Sequence, residues 1–345
     1  MLTAAVLLLS IPLVGHAAGG DSEAMANRGA FRYEGMALCP GGVAFGVKFV
    51  TEGVLVVGTS TVKSEGKDVN PAAEAGIRVK DILTAINGTE IDRVKALADA
   101  VTESEGKGLT VALLRDGKEK TVTLTPVKAD SDGVYKAGLW LRDSTAGIGT
   151  VTFVEPQTGA FGGLGHGICD VDTGVLMPLR RGSAMKVEIG GVVKGQIGKP
   201  GEIKGYFRSE RNGTVVSNTL CGLFGVFGKV PDGVGDPLPV GSRYDVKEGK
   251  AELLCTLGDD GVQRYTVEIA KIDRDGKDNK NFVVIVTDPT LIERTGGIVQ
   301  GMSGSPLIQN GKLIGAVTHV LINDPTKGYG IFIENMLDQM GDLAS

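Results

Sequence analysis

Apolar residues along this chain fall mostly in short runs separated by glycine-containing turns, and only a few stretches carry a helical period. The first run, Leu2 to Val14, is almost uninterrupted apolar and passes into the small, polar stretch from Gly15 to Ala30. It falls short of the roughly 20 residues a helix needs to span a bilayer, and small residues around Val14 to Ala18 suit signal cleavage. The expectation is a signal peptide or membrane anchor over 1–20 and a linker over 21–38. From Asn70 onward the pattern sharpens. Asn70-Pro71 opens a short helix that Gly76 ends, a strand runs from Asp81 to Ile86, and Asn87-Gly88 makes a turn. Val94, Leu97, Ala98 and Val101 share a helical face, and strands over Leu109–Arg115 and Lys120–Pro126 flank an Asp116-Gly117 turn.

Past Tyr135 the runs Val187–Ile189, Thr214–Val216, Tyr265–Ile272, Phe282–Thr287 and Leu313–Val320 all read as strands. Only Glu334–Leu343 looks helical, with Met336, Leu337 and Met340 on one face. A chain that changes from mixed elements to all-β in this way divides into two domains, expected at 39–130 and 131–345. The second is a sandwich or a pair of barrels.

Composition narrows the function. With 345 residues, 42% hydrophobic, 22% charged and a net charge of -5, this is a globular protein and not a polybasic nucleic-acid binder. The 53 glycines fit the turns of a β-rich fold. Four cysteines, Cys39, Cys169, Cys221 and Cys255, form no C-x-x-C pair, so neither a zinc ribbon nor a thioredoxin-type motif is available. No metal site or cofactor is expected. There are only three histidines, His16, His166 and His319, and His16 belongs to the export segment.

Three segments carry the chemistry. His166 stands between Gly165 and Gly167, Asp288 follows the apolar strand Phe282–Thr287, and Ser303 lies in Gly301-Met-Ser-Gly-Ser-Pro306. A serine hydroxyl needs a base, a group to orient that base, and amides to stabilise the oxyanion. Ser303 is therefore the expected nucleophile, His166 the base and Asp288 its orienter, with the amides of Gly301 and Ser303 as the oxyanion hole. His319 lies in a strand sixteen residues after Ser303. It is read as a packed strand residue or a wall of the substrate pocket, with a role as base as the lesser alternative. Asp170 and Asp172 compete with Asp288 as orienters, but shape a turn more simply. Cys169 reads as a small buried thiol, and Asp273–Lys280 as a solvated hairpin turn.

The run from Pro71 to Gly88, PAAEAGIRVKDILTAING, resembles a PDZ domain of the bacterial protease-associated kind. Such domains add an extended peptide to a sheet edge and receive its carboxylate on loop amides. On that resemblance the peptide-binding loop is Gly42-Val43-Ala44-Phe45-Gly46-Val47, with the Val94–Val101 helix as the opposite wall; the alternative is that Phe45 and Val47 are core strand residues. The order His, Asp, Ser and the GMSGSP element are similar to chymotrypsin-like proteases, which implies a double β-barrel. Taken with AGIGTVTFVEP, GLGHGICDVDTG and TGGIVQGMSGSPLIQNGKLIGAVTHVLINDP, the chain resembles the stage IV sporulation protein B peptidases. That resemblance implies a mainly β fold, with a PDZ domain followed by a chymotrypsin-like double β-barrel serine peptidase domain. It implies an exported signalling endopeptidase of sporulation that cleaves itself and a regulatory membrane protein, leading to intramembrane processing of a pro-sigma factor. Its place is the forespore's outer face, between forespore and mother cell, with membrane association through the N-terminus. The alternative from another class is a PDZ adaptor whose protease-like domain has lost activity.

Overall fold

The computed structural model describes residues 31–344. The expected export segment, and the linker up to residue 30, lie outside the described residues. No helix among the described residues is long and apolar enough to cross a membrane.

Two long strands organise everything else. β1 (Ala44–Thr59) and β5 (Leu139–Val154) run antiparallel, paired from Leu139 opposite Thr59 to Thr150 opposite Ala44. The register slips between Arg142 and Ser144, and this break divides the ribbon. One half belongs to the PDZ body and the other to a barrel.

In the PDZ half, β1 pairs with β2 (Ile82–Ile86), which pairs with β3 (Leu109–Arg115), which pairs with β4 (Lys118–Leu124). Helix α1 (Pro71–Glu74) begins where the Asn70 side chain accepts from the Ala73 N–H, with Pro71 in the first turn. Helix α2 (Val94–Glu103) has no side-chain bond from its own N-cap residue, Arg93; instead Asp143, at the break in the ribbon, accepts from the Val94 N–H at 2.8 Å. Leu97 and Val101 of α2 pack into a core with Val54, Leu83, Val111 and Leu124. Ala137, Leu139 and Leu141 join the same core, so the PDZ body extends past residue 130.

The rest is two barrels. In the first, β1 and β5 are joined by β6 (Ala160–Gly163), β7 (Leu179–Val193), β8 (Glu202–Thr219) and β9 (Gly222–Phe227). The pairings run β5-β6-β9-β8-β7-β1 and close when β1 meets β5. The second barrel closes through β10 (Gly249–Thr256), β11 (Val262–Ala270), β12 (Phe282–Val286), β15 (Asp324–Phe332), β14 (Lys312–Leu321) and β13 (Pro306–Gln309). Its core is built on Leu253, Val267, Val284, Leu307 and Phe332. Helix α3 (Pro289–Thr295) follows β12, and α4 (Ile333–Met340) follows β15. The molecule thus joins a PDZ-like body to two six-stranded barrels.

The expected peptide-binding loop is corrected here. Ala44 to Val47 are strand residues of β1, paired on one side with β5 and on the other with β7. Phe45 and Val47 are buried in the first barrel with Val151, Phe161 and Leu223, and the Phe45 ring meets Phe161 edge-on at 5.8 Å. Gly46 is there for room, because a Cβ would lie 2.3 Å from Phe207 Cε1. Residues 44–51 therefore pair within the first barrel, so the ribbon of β1 and β5 runs through both bodies. Cys169 is exposed rather than buried.

Candidate active site

The nucleophile loop is suspended between the barrels. After α3, Gly296 ends the helix at φ 76°, and Gly297–Gly301 leads to Ser303 just before β13. Every carbonyl from Gln300 to Gly304 is occupied. Gln300 O accepts from the Ile203 N–H at 2.8 Å, Met302 O from the Ser305 N–H at 2.9 Å, and Ser303 O from the Thr150 N–H at 2.9 Å. Gly301 O and Gly304 O accept from the hydroxyls of Thr150 and Thr152, both at 2.8 Å. The amides of Gln300, Met302 and Gly304 are also spent, on Gly201, Val299 and Val317 carbonyls. Among the described residues the N–H groups of Gly301 and Ser303 bond to nothing. Pinning a carbonyl fixes its peptide plane, so these two idle amides have their directions set in advance, as an oxyanion hole requires. Gly301 has φ 99° and Gly304 φ 93°, conformations that favour glycine.

The histidine loop meets this one through backbone. A Cβ on Gly304 would lie 2.4 Å from Leu164 N and 2.1 Å from Thr150 O, and a Cβ on Gly165 would lie 2.9 Å from Thr318 Cγ2. Thr150 serves both loops, since its carbonyl also accepts from the Leu164 N–H at 3.2 Å. His166 is thereby brought beside β14. Its ring lies 4.9 Å, centroid to centroid, from that of His319 and is tilted 36° to it. Its Nδ1 is 2.8 Å from Gly167 O, which fixes the proton on Nδ1 and leaves Nε2 as a base. Burial pushes the His166 pKa down, against a smaller upward pull from the Gly167 carbonyl. The imidazole is consequently neutral at pH 7. The Ser303 hydroxyl donates to Thr318 O at 2.8 Å, so the nucleophile rests on β14. Ser305 is fully buried and its Oγ has no partner among the described residues, which leaves it no access to a substrate.

Asp288 is not at this site, and that is the second correction. It is the N-cap of α3, with Oδ1 accepting from the Thr290 and Leu291 N–H groups at 2.9 and 3.1 Å and Oδ2 from the Thr266 N–H at 3.2 Å. His319 aligns with Tyr329 and Tyr329 with Val283. Asp288 is five residues beyond Val283, roughly 16 Å along the sheet at the usual strand rise. The sequence Thr-Asp-Pro at the end of a strand is a helix-opening signal, and it was read as an acid for a histidine. Asp170 and Asp172 are committed as well: both pair with Arg142 of β5, and Asp170 also accepts from Thr173. Among the described residues no carboxylate bonds to His166.

Several contributors escape sequence reasoning. Thr150 and Thr152 lie in an alternating strand and look like any β-branched strand residues; Ile203 and Thr318 act through main-chain atoms, which sequence does not mark. The charged stretch Asp273–Lys280 is more than a solvated turn, because Asn279 accepts from the Thr318 hydroxyl and donates its side-chain amide to Leu220 O, which ties it to both barrels beside the site.

Two grooves flank these elements. One, of about 860 Å³, runs past Gln300 and Gly301 and is walled by Ile148, Val192, Ile203 and Tyr206. The other, of about 660 Å³, lies on the PDZ body between α2 (Val94, Leu97, Val101) and the segment Tyr135–Leu141. Trp140 at its edge is 63% exposed.

Two family models match the chain. Residues 133–337 match the SpoIVB peptidase S55 family and residues 43–125 a PDZ domain. A Lactococcus lactis protein, LL2128, whose name describes a zinc metalloprotease, is 32% identical over 91 residues, 26% of this chain and 19% of its own length. The Mesorhizobium japonicum protein mll0638, similarly named, is 34% identical over 84 residues, 24% of this chain and 22% of its own. The chain thus spans about a fifth of the length of these curated relatives. Among solved structures, the active form of the Rv3671c protease from M. tuberculosis aligns at 16% identity over 57% of this chain and 75% of that one, with a TM-score of 0.33. The PDZ domain of the SdrC-like protein from Listeria monocytogenes aligns at 21% identity over 26% of this chain and 87% of that one, with a TM-score of 0.22. The first of the two family matches takes in more than half of the chain, which therefore belongs to the SpoIVB peptidase S55 family and carries a PDZ domain.

Proposed function

We propose that Ser303 is the nucleophile, His166 the general base and acid, and the amides of Gly301 and Ser303 the oxyanion hole of a sporulation signalling endopeptidase. The observation that carries this is the pair of idle amides in a loop whose carbonyls are all held. To react, Ser303 Oγ leaves Thr318 O and attacks a scissile carbonyl while its proton passes to His166 Nε2. The substrate oxygen, becoming negative, receives the two N–H groups. His166 then returns the proton to the leaving amine, and water repeats the sequence on the acyl-enzyme. The Gly167 carbonyl sets the starting tautomer. A substrate chain lying in the groove past Gln300 would bring its carbonyl to these amides.

The substrates fitting the family are the protein itself and a regulatory membrane protein, cut at the forespore's outer face after export, so that intramembrane processing of a pro-sigma factor follows. Peptide recognition is assigned to the groove between α2 and Tyr135–Leu141. There Gly138, at φ 68°, precedes Leu139–Arg142 of β5, which pair with β1 on one edge and over those residues have no strand partner on the other among the described residues. Edge addition of an extended peptide needs such a strand and a loop before it. A second reading, a PDZ adaptor without activity, draws on the Ser303 hydroxyl resting on Thr318 O and the lack of a carboxylate at His166.

Replacing Ser303 by Ala separates the two. Self-processing of the purified full chain, followed by intact-mass spectrometry, is expected to fall by at least about 10³-fold. Unchanged processing in the S303A protein would leave only the adaptor.

A further inference from the structure

His166 lacks a carboxylate, and the ring packed against it has a polar atom to spare. His319 Nδ1 is buried and has no hydrogen-bond partner among the described residues. Leaving such an atom unpaired forfeits its hydration without replacement, and native proteins seldom do so without a use for it. Two imidazoles joined by an N–H···N bond of ordinary length have ring centroids about 5 Å apart. The centroids of His166 and His319 are already 4.9 Å apart, with the two rings tilted by 36°.

We propose that His319 is the positioning residue for His166, taking the place of an orienting acid. When Ser303 turns from Thr318 O to His166, the Nδ1–H of His166 exchanges its acceptor, from Gly167 O to Nδ1 of His319. In the step that follows only one proton changes owner, from Ser303 Oγ to His166 Nε2, and the resulting imidazolium keeps its Nδ1–H on the His319 lone pair. His319 carries its own proton on Nε2.

The surroundings of His319 suit an acceptor. It faces His166 from the histidine loop, Lys280 from the 273–281 loop and Tyr329 across the strand pair, and Lys280 lies over the Tyr329 ring. Burial, with the neighbouring His166 ring and the charge of Lys280, pushes its pKa down to about 4, so its ring is neutral at pH 7. A carboxylate would attract a proton to His166 before Ser303 could supply one; a neutral imidazole does so less. The same strand holds the serine through Thr318 O. One β14 dipeptide, Thr318-His319, thus serves both reacting side chains.

This proposal rests on Ser303 and His166 being nucleophile and base, and its test distinguishes the two. The full chain is labelled with a fluorophosphonate probe, which phosphonylates an activated serine and needs no known substrate. His319→Phe keeps the ring and removes both nitrogens. The maximal labelling rate is expected to fall about 10–100-fold, the contribution of a hydrogen bond to a charged group, with the half-saturating probe concentration unchanged and the acid limb of the rate profile displaced. His319→Asn, which restores an acceptor near the Nδ1 position, recovers part of the loss. Asp288→Asn lowers the melting temperature and leaves labelling of the folded protein within about two-fold, since a group spent on a helix cap has no share in proton transfer. A wild-type labelling rate and profile in H319F would overturn the proposal, as would a loss in folded D288N equal to that in His166→Ala. Absence of Ser303 labelling in the wild type would overturn the underlying nucleophile assignment instead. Nitrogen-15 spectra of the wild-type phosphonyl adduct give a reading that needs no variant. A coupling across an N–H···N bond between two imidazoles is expected, and its absence also overturns the proposal.

Discussion

In Gly42–Val47 the main chain is used up in ladders to two neighbouring strands, while in Gly301–Pro306 it is held by its carbonyls and leaves two amides idle. Both segments begin with glycine, carry a second glycine within the next few positions and are otherwise small or apolar. Gly46 makes space for Phe207, and its neighbours Phe45 and Val47 fill a barrel. Gly301 and Gly304 adopt positive φ, and the Thr150 and Thr152 hydroxyls that fix their carbonyls come from another barrel. Glycine spacing alone does not distinguish a backbone made to bind from one packed too closely for a side chain. What distinguishes them is whether the flanking N–H groups find partners.

Substitutions in the two segments sharpen that contrast. The largest effect is expected from Phe45→Ala, which empties a buried ring from the first barrel and should cost about 3–5 kcal/mol of stability, seen in denaturant melts. Peptide affinity of the PDZ groove, measured on the folded fraction, should not change. A loss of peptide binding at unchanged stability would return Phe45 to the groove. Gly301→Ala comes next. Its Cβ would sit 3.0 Å from Ile203 Cβ at a φ unfavourable to alanine, and turning one oxyanion amide away should slow the reaction by about 10²–10³-fold. If instead the melting temperature drops and turnover per folded molecule holds, the amide is structural. The smallest effect belongs to Thr150→Val, which removes the hydroxyl bond to Gly301 O and retains the backbone bonds to both loops. A loss of about 0.5–1.5 kcal/mol, with a comparable rise in the activation barrier, is the value of one neutral hydrogen bond. A rate identical to wild type would show that the loop keeps its shape without its strap.

Much of the PDZ body was legible because its signals are local. Asn70-Pro71 opens α1, Asn87-Gly88 and Asp116-Gly117 turn the chain at positive φ, and Val94, Leu97 and Val101 of the expected α2 face pack inward while Ala98 stays exposed. Ser303 and His166 were legible for a related reason, since each is framed by glycines in a loop and the structure brings the two loops together. Asp288 departs from its expected place because a carboxylate before a proline satisfies a helix N-terminus within three residues of itself; His319 stands in a strand, as its pattern implies, with the His166 ring beside it.

The residue pattern by itself determined a β-rich domain, a PDZ body, and the two glycine-framed loops that carry His166 and Ser303. These follow from chain-local physics: turn chemistry, periodicity, and the few side chains able to do each step. Tertiary structure alone decided that one strand ribbon serves both domains and that the first barrel takes residues 44–51 from the PDZ side. It also decided that Asp288 caps a helix while His319 stands beside the base. Those outcomes depend on strand register, and a shift along a sheet moves a side chain by some 3.3 Å per residue, farther than a hydrogen bond can reach.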